Sequence, residues 1–443
     1  MSIRRNLAFK MQNKLMKVAL MLCSSLASSF VYAQPNDFHF NGFLTVAGYH
    51  GSSNQIGYKS SILGEQASHR GEWVFDDLSL LGGQINYSVN DQWQLVGQAV
   101  LKNELVDTDF DRIKIATLNY RPSSAWLFRA GRFYPRGYLI SETRLIGYAH
   151  NQVLPVQDFY AQLPLPYVDG IDATYTQRTD FGLFSANLYF GETNITVDLG
   201  GDEPVTSEFK NLVGANLEYE SRNWLLRAAY SQVEQIEGWG IIDEIEDFFT
   251  LLAHPALLQT KTQFMPWAEG AAFLQSDKAK DGVFKYYTLA SEHNKGALRV
   301  RAELAHLSSG SFLLPDTDSG YVNFAYTHGE VTPFATLSFI NSDKDKPFST
   351  QPSGDLLDQV DQVLGIDSRV TLTVINGFLE PVYKQKSATL GMRWDFAQQQ
   401  AVKVQFERKW VDKNSAGLWR VNQFSQTQAE QVDVFLVSYD RMF

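Results

Sequence analysis

Cysteine, histidine and long apolar runs are all scarce in this chain of 443 residues. Cys23 is the only cysteine, and it lies in an N-terminal segment that we expect to be removed, so disulfides, zinc–thiolate sites and cysteine nucleophiles are excluded from the rest of the chain. The eight histidines are scattered without metal-ligand spacing. No stretch after residue 33 resembles a membrane-spanning helix, which needs about 20 apolar residues. We therefore expect no metal, no cofactor and no helical membrane protein.

The N-terminal segment has the pattern of an export signal. Five basic residues and no acidic residue precede a short stretch, residues 18–33, that is rich in small residues and ends in Val31-Tyr32-Ala33. This pattern predicts a signal peptide over residues 1–33 and a single mature domain over residues 34–443. An uncleaved anchor is disfavoured because the stretch is too short and polar. A lipoprotein acceptor at Cys23 is disfavoured by the bulky Leu22 before it.

The mature chain is strongly acidic and rich in aromatic residues. Residues 1–33 hold five of the 38 basic residues and none of the 49 acidic ones, which leaves a charge of −16. Such a balance argues against a nucleic-acid partner, which requires a basic surface. The 30 Phe, 20 Tyr and 9 Trp residues fit a transmembrane β-barrel, whose strands carry their apolar side chains on one face only.

Alternating segments of about ten residues recur from Phe38 to the end of the chain. Residues 298–304 alternate apolar side chains with Arg299, Arg301 and Glu303, and residues 401–410 show the same pattern. A period of two places successive side chains on opposite faces of a strand. Soluble β-sandwiches also alternate, so this pattern alone leaves both architectures open.

The lengths of the connections separate these two architectures. The predicted strands are 38–49, 76–90, 93–105, 111–120, 125–134, 168–179, 182–191, 209–220, 224–233, 284–294, 297–307, 320–328, 331–341, 386–396, 401–411 and 431–443. Links after even-numbered strands are short and most links after odd-numbered strands are long, as in barrels with short periplasmic turns and long external loops. Closure also removes unpaired edges, which are costly in lipid. We predict an all-β, transmembrane, antiparallel up-and-down barrel of about 16 strands, with fourteen or eighteen as alternatives.

The last strand carries a resemblance to a known family. Its outward face is expected to hold Phe435, Val437, Tyr439 and the terminal Phe443, with Arg441 reaching towards headgroups. This strand resembles the terminal strand of Gram-negative outer-membrane proteins, in which Tyr439 and Phe443 would form the assembly signal. With its strand count and loop pattern, the mature chain resembles the trimeric general porins of about sixteen strands.

The porin resemblance implies an inward-folded constriction loop between strands 5 and 6. Arg129 and Arg132 lie three residues apart before this loop, and we favour Arg132 in the lumen. The alternative is a loop packed across the top of the barrel. The predicted pore-lining and constriction residues are Arg132, Arg136, Glu142, Arg144, Asp158, Arg299, Arg301 and Glu303. Further candidates for a polar lumen are Gln94, Gln98, Lys114, Arg227, Arg393, Lys403 and Glu407.

The expected function is passive diffusion of small hydrophilic solutes and ions across the outer membrane, without enzymatic activity. The expected partners are outer-membrane lipid, lipopolysaccharide, the solutes and two further copies of the chain in a homotrimer, with no nucleic acid. A substrate-selective channel is the first alternative. A phospholipase-like barrel enzyme is the remote one, and it would need Ser291 beside His293 or His306 on the lipid face.

Overall fold

The computed structural model describes residues 38–53, 56–60, 70–103, 112–161, 167–197, 205–235, 282–309, 315–343, 383–413 and 429–443, together with isolated positions between these ranges. The predicted signal peptide, residues 1–33, lies outside the described residues. Within these ranges, the two short helical turns are a 3₁₀ turn at Gly147–Ala149 and helix α1 at Gln157–Tyr160. No helix among the described residues has the length and apolarity that crossing a membrane requires.

The described residues form a closed barrel of sixteen long antiparallel strands. Each strand pairs with its neighbours in the chain, and β1 also pairs with β16, for example through Phe43 opposite Met442, so neither end of the sheet has a free edge. A two-residue strand, Trp73–Val74, adds to the rim beside β1. The strands are β1 (Phe38–Gly51), β2 (Leu80–Ser88), β3 (Trp93–Lys102), β4 (Ile113–Tyr120), β5 (Trp126–Phe133), β6 (Val168–Thr179), β7 (Gly182–Val197), β8 (Val205–Glu220), β9 (Trp224–Gln235), β10 (Gly282–Lys295), β11 (Leu298–Ser308), β12 (Asp316–Tyr326), β13 (Val331–Asp343), β14 (Lys384–Ala397), β15 (Gln400–Val411) and β16 (Glu430–Met442).

The predicted fold class and the count of sixteen strands are confirmed. The largest differences between the predicted and the observed strand ends are at the long-loop ends, where β7 continues to Val197 and β8 begins at Val205. Glu192 and Asn194 lie in this extension and are exposed, while Thr193 and Ile195 are buried. Because both faces carry polar side chains there, the apolar alternation that marked the strands in the sequence fades before the ladder ends.

The outer face of the barrel is apolar at mid-height. Leu188, Leu217, Leu289, Leu337 and Leu390 are each between 61% and 65% exposed. Transfer of one such side chain from water to an apolar medium is worth about 1.5–3 kcal/mol. A belt of this kind on every side of a closed barrel is a surface suited to lipid rather than to water.

Aromatic side chains ring the short-turn end of the same face. Trp93 of β3 stacks on Tyr120 of β4 with ring centroids 4.4 Å apart, and Trp126 of β5 lies 4.9 Å from Tyr175 of β6. Their amphipathic rings are typical of the border between hydrocarbon and headgroups. This row therefore marks one edge of the apolar belt.

The C-terminal residue completes the junction between the first and last strands. The backbone N–H of Gly42 donates to the Phe443 carbonyl at 2.6 Å, and the Phe443 N–H donates back at 2.9 Å. A Cβ on Gly42 would lie 2.1 Å from the Phe443 ring, so only glycine fits beneath this ring. Phe435 is exposed while Val434 and Leu436 are buried, as the predicted alternation of this strand requires. The role of Tyr439 and Phe443 as an assembly signal stays a prediction.

Candidate functional site

The described part of the connection between β5 and β6, residues 134–161 with 165 and 167, lies inside the barrel, and we call it the inner loop. Burial identifies the interior face: Thr288 is buried, whereas Leu289 next to it is exposed outside. The Thr288 hydroxyl donates to the Gly137 carbonyl at 2.6 Å, and the Val153 N–H donates to Gln405 Oε1 of β15 at 2.8 Å. The loop thus contacts interior side chains on distant strands, as an inward fold requires. That it narrows an open channel stays a prediction.

Glu303 of β11 forms the first attachment of the inner loop. Its carboxylate is fully buried and accepts hydrogen bonds from the Leu139 N–H at 3.0 Å and the Tyr321 hydroxyl at 2.6 Å. The Tyr160 hydroxyl of α1 donates to the same carboxylate. Burial and the adjacent Glu303 charge hold the pKa of Tyr160 well above its ordinary value, so its phenol keeps its proton. Glu303 was predicted to line the pore, but the loop covers it.

Asp158 of α1 forms the second attachment. This fully buried carboxylate accepts hydrogen bonds from the Ser338 hydroxyl at 2.7 Å and the Gln385 amide at 2.5 Å. The Lys409 ammonium lies 3.8 Å away and pairs with Glu407 at 2.9 Å. Asp158 was also predicted to face the solute. It instead holds the loop against β13, β14 and β15 through Ser338, Gln385 and Lys409.

Lys403 of β15 forms the third attachment. Its fully buried ammonium donates to the carbonyls of Gly147 at 2.6 Å and Gln152 at 3.2 Å, and it pairs with Asp440 at 3.0 Å. Thr45 of β1 donates to Asp440 at 2.7 Å. A Cβ on Gly147 would lie 2.0 Å from an Asp440 oxygen, so the loop can approach this closely only with glycine at that position.

Arg393 of β14 and His150 extend this attachment. The Arg393 guanidinium donates to the carbonyls of Tyr148 at 2.5 Å and His150 at 3.0 Å. His150 is buried, and its Nε2 lies 2.8 Å from the Thr143 carbonyl. Burial, reinforced by the Lys403 charge, lowers the pKa of His150 to about 3. The imidazole is therefore neutral near pH 7 and donates its Nε2 proton to Thr143.

A charge cluster on β5, β6 and the loop stays partly open to the interior. Arg129 donates to Asp172 at 3.0 Å and to Glu142 at 3.2 Å, and Arg136 donates to Glu142 at 3.2 Å. The Glu142 side chain is 44% exposed. Burial alone would raise the pKa of Glu142, but the Arg136 and Arg129 guanidinium groups hold it below its ordinary value. Two predicted constriction residues, Arg136 and Glu142, therefore do lie together.

The register separates Arg129 from Arg132. Arg129 stands opposite Asp172 and Arg132 opposite Asp169, and these pairs fall on opposite faces because three residues separate them. The inward side is that of Arg129 and Asp172, since Asp172 also accepts from Asn187 inside the barrel. Arg132 is buried, bound to Asp169 at 2.7 Å and stacked on the Tyr167 ring at 3.6 Å. The pairing of β5 with β6 has no bulge at these positions.

The remaining predicted residues have separate environments. Arg144 donates to the Leu165 carbonyl at 2.8 Å and so ties two parts of the inner loop together. Arg301 donates to Glu292 of β10 at 2.6 Å. Arg299 is partly exposed and has no hydrogen-bond partner among the residues that the structure describes. The structure thus brings Arg299 and Arg301 to one wall, apart from the cluster around Glu142.

Amide side chains line the wall formed by β2, β3 and β4, which we call the amide wall. Its members are Gln84, Asn86, Gln94, Gln98 and Asn119. The Gln98 amide donates to Gln84 at 3.0 Å, Gln84 donates to Asn86 at 3.2 Å, and Asn119 donates to Gln94 at 3.4 Å. All except Gln98 are partly exposed to the interior. Gln94 and Gln98 thus lie on the interior face, and their position in an open lumen stays a prediction.

Several attachment residues were not predicted from the sequence, among them Asp440, Lys409 and Tyr160. Asp440 and Lys409 lie on the interior face of strands whose alternation was recognised, so the same period of two could have identified them. Tyr160 lies in a loop without periodicity, and no sequence pattern pointed to its contact with Glu303.

The serine and histidines of the alternative enzyme form no hydrogen bond with one another among the described residues. Ser291 stands opposite Ala302, four residues along β11 from His306. His306 pairs instead with Asp318 at 2.8 Å, and the ring of His293 lies 4.2 Å from that of Trp224.

Comparisons with known proteins establish the fold. No protein-family model matches the sequence, and no curated protein matches it. Among solved structures, the chain is similar to OmpF of Salmonella typhi in complex with daunomycin (11% identity, TM-score 0.51, covering 93% of this chain and 99% of that one). It is also similar to the outer membrane channel DcaP of Acinetobacter baumannii (11% identity, TM-score 0.50, the same coverage). An anion-selective porin of Comamonas acidovorans aligns with 12% identity and a TM-score of 0.49 over 92% and 99% of the two chains.

These likenesses define the class of fold. The chain is a closed sixteen-stranded barrel with the architecture of Gram-negative outer-membrane porins. At this identity the likeness shows the architecture alone, so the activity has to be argued from the interior described above.

Proposed function

We propose that this protein is an outer-membrane channel for passive diffusion of small hydrophilic solutes and ions. One observation carries the proposal: the inner loop is bound to one side of the interior, while the polar side chains of the amide wall remain partly exposed inside a barrel with an apolar outer face. Polar, water-accessible side chains inside a lipid-facing barrel are the arrangement of a solvated pore.

The proposed location is the outer membrane, reached after removal of residues 1–33. The leucine belt and the aromatic row of the outer face support contact with outer-membrane lipid and lipopolysaccharide. The proposed assembly is a homotrimer, which rests on the resemblance to the general porins. Chemical cross-linking of the purified protein in detergent tests the trimer, and a monomer at all protein concentrations would contradict it.

Planar-bilayer recording tests the channel directly. We expect stable, stepwise conductance in potassium chloride, together with swelling of sugar-loaded liposomes that contain the folded protein. Bilayers that stay closed at all voltages, with folding verified by heat-dependent electrophoretic mobility, would contradict the proposal.

The same liposomes separate passive diffusion from selective transport. Passive diffusion gives a flux proportional to solute concentration, whereas a binding site for one solute gives a flux that saturates.

We also propose that the chain has no phospholipase activity. The measurement is release of fatty acid from labelled phospholipid, and activity that disappears in Ser291→Ala would contradict this.

A further inference from the structure

Charged side chains are distributed unevenly around the interior. Strands β2, β3 and β4, with 9, 10 and 8 residues, contain only two charged residues, Lys102 and Lys114. Both lie at the long-loop ends of their strands. On the other side of the barrel, Arg227, Glu303 and Lys403 are examples of charges that face the interior at mid-height.

The inner loop covers part of the charged side, whereas Arg299 of β11 stays partly exposed to the interior. Its hydrogen bonds reach Arg227 of β9, Glu303 of β11 and Lys403 of β15, so these charges hold the loop and are not available to a solute. In the described part of the loop, the Tyr134 hydroxyl donates to Gln98 at 3.4 Å, which is the one hydrogen bond between the loop and the amide wall. The space left for water therefore borders the amide wall.

The amide wall reaches the same level along the barrel axis as the exposed Glu142 carboxylate of the inner loop. Asn119 stands opposite Arg129 in the pairing of β4 with β5, and Arg129 contacts Glu142 of the inner loop. Gln94 stands opposite Asn119 on the next strand. A solute that passes Glu142 thus passes Gln94 and Asn119 at the same level.

Several amide groups on this wall remain available to a solute. Each amide side chain offers two N–H donors and a carbonyl acceptor. The amide nitrogens of Asn86 and Gln94 donate no hydrogen bond within the described residues, although both side chains are partly exposed. The wall therefore presents free donors beside carbonyl acceptors without a net charge.

We infer that the solute path follows the amide wall and that this wall favours neutral, hydroxyl-rich solutes such as saccharides and polyols. This inference rests on the proposed function and names its substrate class. A sugar that enters a narrow pore loses hydrogen bonds to water, and unpaired amide groups replace them in both directions, as donors and as acceptors. The wall supplies no countercharge, so it gives an ion no comparable compensation.

Leucine substitution at two wall positions tests the inference. In Gln94→Leu combined with Asn119→Leu, side-chain size is nearly kept while the donors and acceptors are lost. We expect arabinose-driven liposome swelling to slow about five-fold, which is the effect of losing about one net hydrogen bond at the barrier. Potassium chloride conductance should change by less than about two-fold, because hydrated ions gain little from this wall. Gln177→Leu on the outer face of β6 is the matched control and should leave both quantities unchanged.

A second variant tests the position of the solute path by adding a charge to the amide wall. Gln94→Arg should shift the reversal potential in a salt gradient towards anion selectivity, because a new charge beside the water path acts on every permeating ion. Unchanged sugar swelling in the double-leucine variant, or an unchanged reversal potential in Gln94→Arg, would overturn the inference while conductance persists. Loss of all conductance and swelling in the folded parent protein would instead refute the proposed function.

Discussion

Removal of the Lys403 ammonium should release one attachment of the inner loop. The variant Lys403→Met keeps the length of the side chain but removes the donor to Gly147 and Gln152 and the partner of Asp440. Breaking one side of a buried ion pair costs about 3–5 kcal/mol, because the other charge stays buried without compensation. Asp440 keeps hydroxyl donors from Thr45 and from Ser438 at 2.8 Å, so we expect a loss near the lower limit, about 3 kcal/mol.

Urea unfolding of the refolded protein measures this loss, and single-channel recording measures its effect on the pore. We expect a lower unfolding midpoint and noisier open-channel current, because the loop is held less tightly. The double variant Lys403→Met with Asp440→Asn is the control, since it removes the uncompensated charge. The asparagine oxygen still accepts from one of the two hydroxyls, and its NH2 group can donate to the other hydroxyl oxygen. The double variant should recover more than half of the lost stability. A Lys403→Met protein as stable and as quiet as the parent would refute the role of this ion pair.

Three further predictions concern closure, pH and the lipid face. Gly42→Val should displace the Phe443 ring and destabilise the barrel by about 1–3 kcal/mol, measured as a lower temperature of heat modification. Gly97→Val should leave this temperature unchanged, because a Cβ at Gly97 meets open space. Acidification should loosen the inner loop, because the pKa of His150 in the folded protein, about 3, lies below the ordinary value of 6.5. His150 in a released loop therefore binds a proton more readily than in the folded one. The free energy of unfolding should fall by up to about 1.4 kcal/mol per pH unit from about pH 6.5 downwards. His150→Asn should reduce this slope, and an equal slope in both proteins would exclude His150 as its source. Leu289→Arg should lower the free energy of unfolding in lipid, measured with urea, by about 2–4 kcal/mol. The same substitution at the exposed turn residue Phe181 should cost little, and equal costs at the two positions would argue against a lipid-facing position for Leu289.

The barrel could be predicted from the sequence because lipid imposes a simple rule on each strand. Side chains alternate between hydrocarbon and a wet interior, as in the exposed Leu289 and the buried Thr288, and the short turns recur after every second strand. The rule ends where the strands leave the apolar belt. The extension of β7 to Val197 was missed for that reason.

The interior was predictable only in part. The alternation of side chains along each strand correctly placed Glu303 and Gln94 on the interior face. Alternation does not show what covers a side chain, so Glu303 was interpreted as pore-lining although the loop buries it. The choice between Arg129 and Arg132 depended on the cross-strand register with Asp172, which a single sequence does not show. The covering loop has no periodicity from which its contacts could be read.

Thiol labelling inside the pore measures the position of the water path most directly. The one cysteine, Cys23, lies in the predicted signal peptide, so single cysteines can be placed at Gln94 on the amide wall and at Ser338 beneath the inner loop without a competing thiol in the mature chain. In planar bilayers, a charged thiosulfonate should reduce the current of Gln94→Cys channels in irreversible steps and leave Ser338→Cys channels unchanged. Silent Gln94→Cys channels, or equally fast reaction at Ser338→Cys, would contradict a water path that follows the amide wall of a barrel whose charged side is partly covered.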